Sequence, residues 1–139
     1  MSVRYVVDSN VLLRFLTGQP PEMAEVARRA IERASRVEVT FEVYPMTVAE
    51  VVYSLEGKVY QVHRKPVVDR LLKLLDSPGF RVHEKAIVFD ALRRHETFNV
   101  GFPDCYFAAC AKETEMTVLS FDSDFDKFQE GCRTRPESV

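Results

Sequence analysis

Four acidic residues stand where a carboxylate could do chemistry: Asp8, Glu50, Asp104 and Asp122. Asp8 follows the apolar run Tyr5-Val6-Val7 and precedes Ser9-Asn10 and a second apolar run, Val11, Leu12, Leu13, Phe15 and Leu16. That order predicts a strand buried on both faces, then a helix. A carboxylate between the two lies at the C-terminal edge of a parallel sheet, where open α/β folds bind their ligands. Asp122 repeats the arrangement after Val118-Leu119-Ser120. In a parallel sheet both carboxylates face the same edge. Glu50 and Asp104 lie near helix starts expected to face it too.

Carboxylates gathered in one cleft repel each other and bind protons more tightly unless a cation sits among them. Oxygen-only donors suit Mg²⁺ or Mn²⁺. Such ions activate water and stabilise charge developing on a phosphoryl group. Asn10 and Ser120 are candidates to support the acids through an amide and a hydroxyl. Each acid also has a purely architectural reading. Asp8 or Ser9 could cap the following helix. Glu50 is the fourth residue of Thr47-Val48-Ala49-Glu50, a capping-box pattern, although it lies nearly opposite the Val48/Val51/Val52/Leu55 stripe. Asp104 would favour the positive end of its helix dipole. Asp122 could cap a short helix running through Phe125 and Phe128. Asp122, Asp124 and Asp126 imitate the first ligands of an EF-hand, but Lys127 and Arg133 replace the glycine and the glutamate that loop requires.

The elements that must hold these residues alternate. Gly18-Gln19-Pro20-Pro21 ends the first helix, and Met23, Val26, Ala27, Ala30, Ile31 and Ala34 form the apolar stripe of a second. Val37 to Phe41 alternates as a strand. A third helix opens at Thr47, with Val48, Val51, Val52, Leu55 and Val59 as its stripe. A fourth follows Pro66 through Val67, Val68, Leu71, Leu72 and Leu75. Phe80 to His83 is a strand, Lys85 to His95 a helix, and Pro103 to Ala111 a helix with small or apolar residues nearly all round. Thr117 to Ser120 is the last strand. Strands alternating with helices predict a three-layer α/β/α sandwich with a mostly parallel central sheet, as one domain over residues 1–139.

Composition narrows the class. The 139 residues are 46% hydrophobic and 29% charged, with a formal net charge of −2, which argues against a protein that coats nucleic acid over its whole surface. No apolar run is long enough to span a bilayer, and the chain enters its first strand without a leader. Three cysteines without a CxxC pair, and scattered histidines, fit a reducing cytoplasm and make a zinc site a poor expectation.

Val7-Asp8-Ser9-Asn10-Val11, Glu50 in an early helix, Phe102-Pro103-Asp104 before a small-residue helix, and Ser120-Phe121-Asp122-Ser123-Asp124-Phe125 together resemble the PIN-domain family. Their order and spacing are most similar to the VapC-type toxins of prokaryotic toxin–antitoxin pairs. The resemblance implies a metal-dependent endoribonuclease using Mg²⁺ or Mn²⁺, with Asp8, Glu50, Asp104 and Asp122 as the acidic positions. Asn10 and Ser120 match supporting polar positions, and Asp124 an accessory acid. It implies hydrolysis of RNA phosphodiesters by metal-activated water, a homodimer, and a small antitoxin that fills the cleft. Arg14, Arg29 and Arg33, with Arg36 and Arg93-Arg94, offer a path for RNA; each also reads as a solvated helix face. Two alternatives stand. A haloacid-dehalogenase-like phosphatase would use Asp8 as nucleophile, but wants a second aspartate where Asn10 stands. A catalytically inactive PIN-like binding protein would keep the fold alone.

Overall fold

Proline and glycine set the boundaries of the elements. The computed structural model describes residues 3–139, which divide into two compact units, one ending at Glu84 and one running from Lys85 to Val139. In the first unit β1 (Val3–Val6), β2 (Val39–Val43) and β3 (Phe80–Val82) form a parallel sheet in the order β1-β2-β3. Tyr5 and Phe80 both pair with Phe41, while Val6 and Arg81 pair with Glu42. The alternation puts Val39, Phe41 and Val43 on one face with Phe80 and Val82, all buried. Glu42 and Arg81 share the other face.

Helix α1 (Ser9–Thr17) is stopped by Gly18, whose φ of 70° is left-handed. Pro21 opens α2 (Pro21–Ser35) and Pro45 opens α3 (Pro45–Glu56), both at positions where the missing N–H costs nothing. Helix α4 (Arg64–Leu75) carries Pro66 in its first turn and buries Val67, Val68, Leu71, Leu74 and Leu75. A Cβ on Gly79 would lie 1.8 Å from the Ala34 carbonyl oxygen. No side chain fits where β3 begins against the end of α2.

The second unit packs α5 (Lys85–Thr97) on α6 (Phe102–Glu113). Ala108, Ala109 and Ala111 are buried on α6, and side chains this small let two helices approach closely. β4 (Val118–Leu119) and β5 (Arg133–Thr134) make a parallel two-stranded ladder, joined through the 3-10 turn Ser123–Lys127. Arg94 is buried over the Phe128 ring and pairs with Asp90 and Glu130. All three cysteines are free thiols.

The α/β class and the parallel sheet are as the alternation of elements predicts. Four details differ. β1 is an end strand of its sheet, so Val3, Tyr5 and Val6 are exposed and Val7 alone of its run is buried. The second strand starts two residues late, because Val37 takes a left-handed φ of 59° to close α2. β4 pairs with β5 rather than with the three-stranded sheet, so Asp8 and Asp122 follow strands of two different ladders. Met23, Val26 and Val59 are exposed rather than core, since the α2 stripe is buried only at Ala27, Ile31 and Ala34 and α3 ends before Val59. Among the described residues, no helix is long and apolar enough to cross a membrane.

Candidate metal centre and its carboxylates

In the first unit the acids meet through a serine. Asp8 has the extended backbone of an N-cap, and its Oδ1 accepts from the Ser9 amide at 2.8 Å. The Ser9 hydroxyl, itself buried, donates to Glu50 Oε2 at 2.9 Å. One serine thus holds two carboxylates that lie 42 residues apart. Helix α3 begins at Pro45 with Tyr44 as its cap, and no side chain caps it. The capping box expected from Thr47 is therefore not formed, and Glu50 sits in the helix interior with an exposed side chain. Its hydrogen bond runs to another element, not to its own helix end. Asn10, also exposed, lines a groove of 390 Å³ with Arg14, Met23 and Val26.

In the second unit three carboxylates converge. Asp104 occupies the third position of α6, after Phe102 and Pro103. Asp122 caps the 3-10 turn, accepting from the Asp124 amide at 2.8 Å. Asp104, Asp122 and Asp124 each offer an oxygen within 4.8 Å of the others. Burial first, and then the negative charges of Asp122 and Asp124, raise the pKa of the Asp104 carboxyl above its ordinary value. A cation among them would relieve that repulsion. The donor set is oxygen only, which fits a hard divalent ion such as Mg²⁺ or Mn²⁺.

Supporting contacts fix the loop that carries Asp122. The Ser120 hydroxyl accepts from the Asp122 backbone amide at 2.9 Å, not from a carboxyl group. Arg133 grips Asp126 with two hydrogen bonds, of 3.0 and 2.6 Å, and also donates to the Ser120 carbonyl at 3.4 Å. Arg133 thereby holds the Asp126 carboxyl below its ordinary pKa and commits that acid to an ion pair away from the trio. The mismatches that spoil the EF-hand pattern, Lys127 and Arg133, are both partners of acids here. Sequence reasoning passed over Ser9 as a bridge and Lys127 as a partner. The i, i+3 spacing of Asp124 and Lys127 was the available signal for the second.

Of the proposed RNA contacts, Arg29 lies 3.3 Å from Glu25 and Arg33 4.0 Å from Glu38. Arg14 reaches Tyr60 Oη at 3.5 Å, and its Nε is buried without a partner among the described residues.

A parallel α/β fold carrying an acidic trio at a helix start fits a class of proteins that hold a divalent ion on oxygen donors. The PIN domain model matches residues 5–131, and the chain belongs to the PIN domain family. PIN domains are metal-dependent nucleases that act on RNA or other nucleic acids. No curated protein matches the chain. The match leaves the phosphatase alternative without a supporting observation.

Proposed function

We propose that this chain is a metal-dependent endoribonuclease and the toxin of a type II toxin–antitoxin pair, working as one domain over residues 1–139. The observation that carries the nuclease reading is the trio of Asp104, Asp122 and Asp124, whose oxygens lie within 4.8 Å of one another. In this reading Asp104 and Asp122 hold Mg²⁺ or Mn²⁺ together with Asp8 and Glu50. When bound, the ion would lower the pKa of water and offset charge on the phosphodiester. The protein's own part is to keep the carboxylates aimed. Ser9 orients Glu50, the Ser120 hydroxyl fixes the Asp122 backbone, and Arg133 braces the loop between.

The toxin assignment rests on the order and spacing of the acidic motifs. The apolar groove beside Met23 and Val26 supports it, since an exposed apolar groove is a surface a small antitoxin would cover. A homodimer and a cytoplasmic location belong to the same reading, and the free thiols are in keeping with the latter.

The test incubates single-stranded and structured RNA with the native chain, Asp8→Asn and Asp104→Asn, each with Mg²⁺, Mn²⁺ or EDTA. Cleavage is expected to require the metal and to disappear in both variants. Cleavage in EDTA, or full activity in Asp8→Asn, would overturn the mechanism.

A further inference from the structure

The acidic trio has a cation of its own. Side chains three residues apart in a 3-10 turn lie over one another, and Asp124 and Lys127 have that spacing within Ser123–Lys127. The Lys127 ammonium lies 3.1 Å from Asp124 Oδ1. The same nitrogen donates to the Asn99 carbonyl, also at 3.1 Å. Asn99 lies just before α6, three residues ahead of its first residue and five ahead of Asp104. Two acceptors therefore fix the ammonium between the turn that carries Asp124 and the segment that leads to Asp104. Asp104 and Asp122 have no such partner: among the described residues neither forms a salt bridge.

We propose that Lys127 is a resident cation that withdraws Asp124 from the ligand set, so that this unit offers a divalent ion Asp104 and Asp122 alone. The inference rests on the nuclease reading and specifies how that site is regulated: Lys127 sets how tightly the centre holds its metal. Lysine is a compact point charge on a flexible stem. It neutralises Asp124 and at the same time repels an arriving cation. Both effects weaken metal binding, and both vanish with the charge. Lys127 is a positioning residue here, acting on the metal through Asp124.

Calorimetric titration of the full chain with MnCl₂, with no RNA present, tests this. Lys127→Gln keeps a donor for the Asn99 carbonyl and removes the charge. It is expected to bind Mn²⁺ about three- to tenfold more tightly, the size of a charge effect near a protein surface. Lys127→Arg should stay within about twofold of the native chain because the charge remains. Asp124→Asn, which leaves the ammonium uncompensated, should bind more weakly. The double variant Lys127→Gln/Asp124→Asn should return to native affinity, because a neutral pair replaces an ion pair.

If Asp124 is instead a direct ligand, the double variant stays as weak as Asp124→Asn. If Lys127 is only a structural tether, Lys127→Gln binds as the native chain does, or more weakly with a lowered Tm. Either result overturns the proposal. A native chain that binds no Mn²⁺ even at millimolar concentration would overturn the nuclease reading as well, whereas native binding with an unchanged Lys127→Gln overturns this inference alone.

Discussion

A carboxylate in the middle of an exposed helix face contributes little to stability, and Glu50 holds that position. It caps nothing, because α3 begins five residues earlier at Pro45. It accepts a hydrogen bond from the buried Ser9 hydroxyl. Glu50→Gln keeps an oxygen to accept that bond and loses only the charge. Urea melts should therefore place the variant within about 0.5 kcal/mol of the native chain. RNA cleavage under Mn²⁺ should fall by about a hundredfold or more if the charge serves the metal. A variant that cleaves normally but melts early would make Glu50 a structural residue. The acids themselves were legible in the sequence, since a charge directly after an apolar run is conspicuous. Their partners were not. Ser9 looked like a cap because serine before a helix usually is one, and nothing in the string shows a hydroxyl turning toward a residue 41 positions away.

At the scale of elements, the helices were legible from their apolar residues, and β3 and β4 fall within the predicted strands Phe80 to His83 and Thr117 to Ser120, while element boundaries and β5 were not legible. β5 has two residues, Arg133 and Thr134, too few for a period to register. The displaced start of β2 has a specific cause. Val37 N–H donates to the Ala34 carbonyl at 2.9 Å and Glu38 N–H to the Arg33 carbonyl at 3.0 Å, the two bonds of a Schellman closure. That closure needs a left-handed residue and usually recruits glycine. Here a β-branched valine occupies it, with φ of 59° and an exposed side chain. Sequence patterning assigns Val37 to the strand because valine prefers strands, and the helix end overrides that preference. Val37→Gly should therefore stabilise the protein by about 1 kcal/mol, since relief of the left-handed strain outweighs the added freedom of the unfolded chain. A raised urea midpoint at unchanged slope is the expected result. A lowered midpoint would mean that the exposed valine makes apolar contacts worth more than the strain.

Over the whole molecule the question is how a chain of net charge −2 would hold a polyanion. The arginine row of α2 looks like the natural answer and is a poor one. Arg28 and Arg29 meet Glu25 at 2.9 and 3.3 Å, and Arg36 meets Glu32 at 2.9 Å. Arg28 and then Arg29, through hydrogen bonds, hold Glu25 down at a pKa of about 2. These arginines have their counterions within the helix and release few when a phosphate arrives. Arg14 differs: among the described residues its Nε has no partner, and its guanidinium makes a long contact to Tyr60. Cleavage should accordingly depend weakly on salt: the slope of log kcat/KM against log salt should lie near −1 to −2, as for about two phosphate contacts on a single strand. Arg29→Ala/Arg33→Ala should leave both rate and slope within about twofold of native, while Arg14→Ala should flatten the slope by about 0.7. A native slope steeper than about −4, lost in the Arg29/Arg33 double variant, would return the RNA path to α2 and show that the glutamates yield their arginines to phosphate.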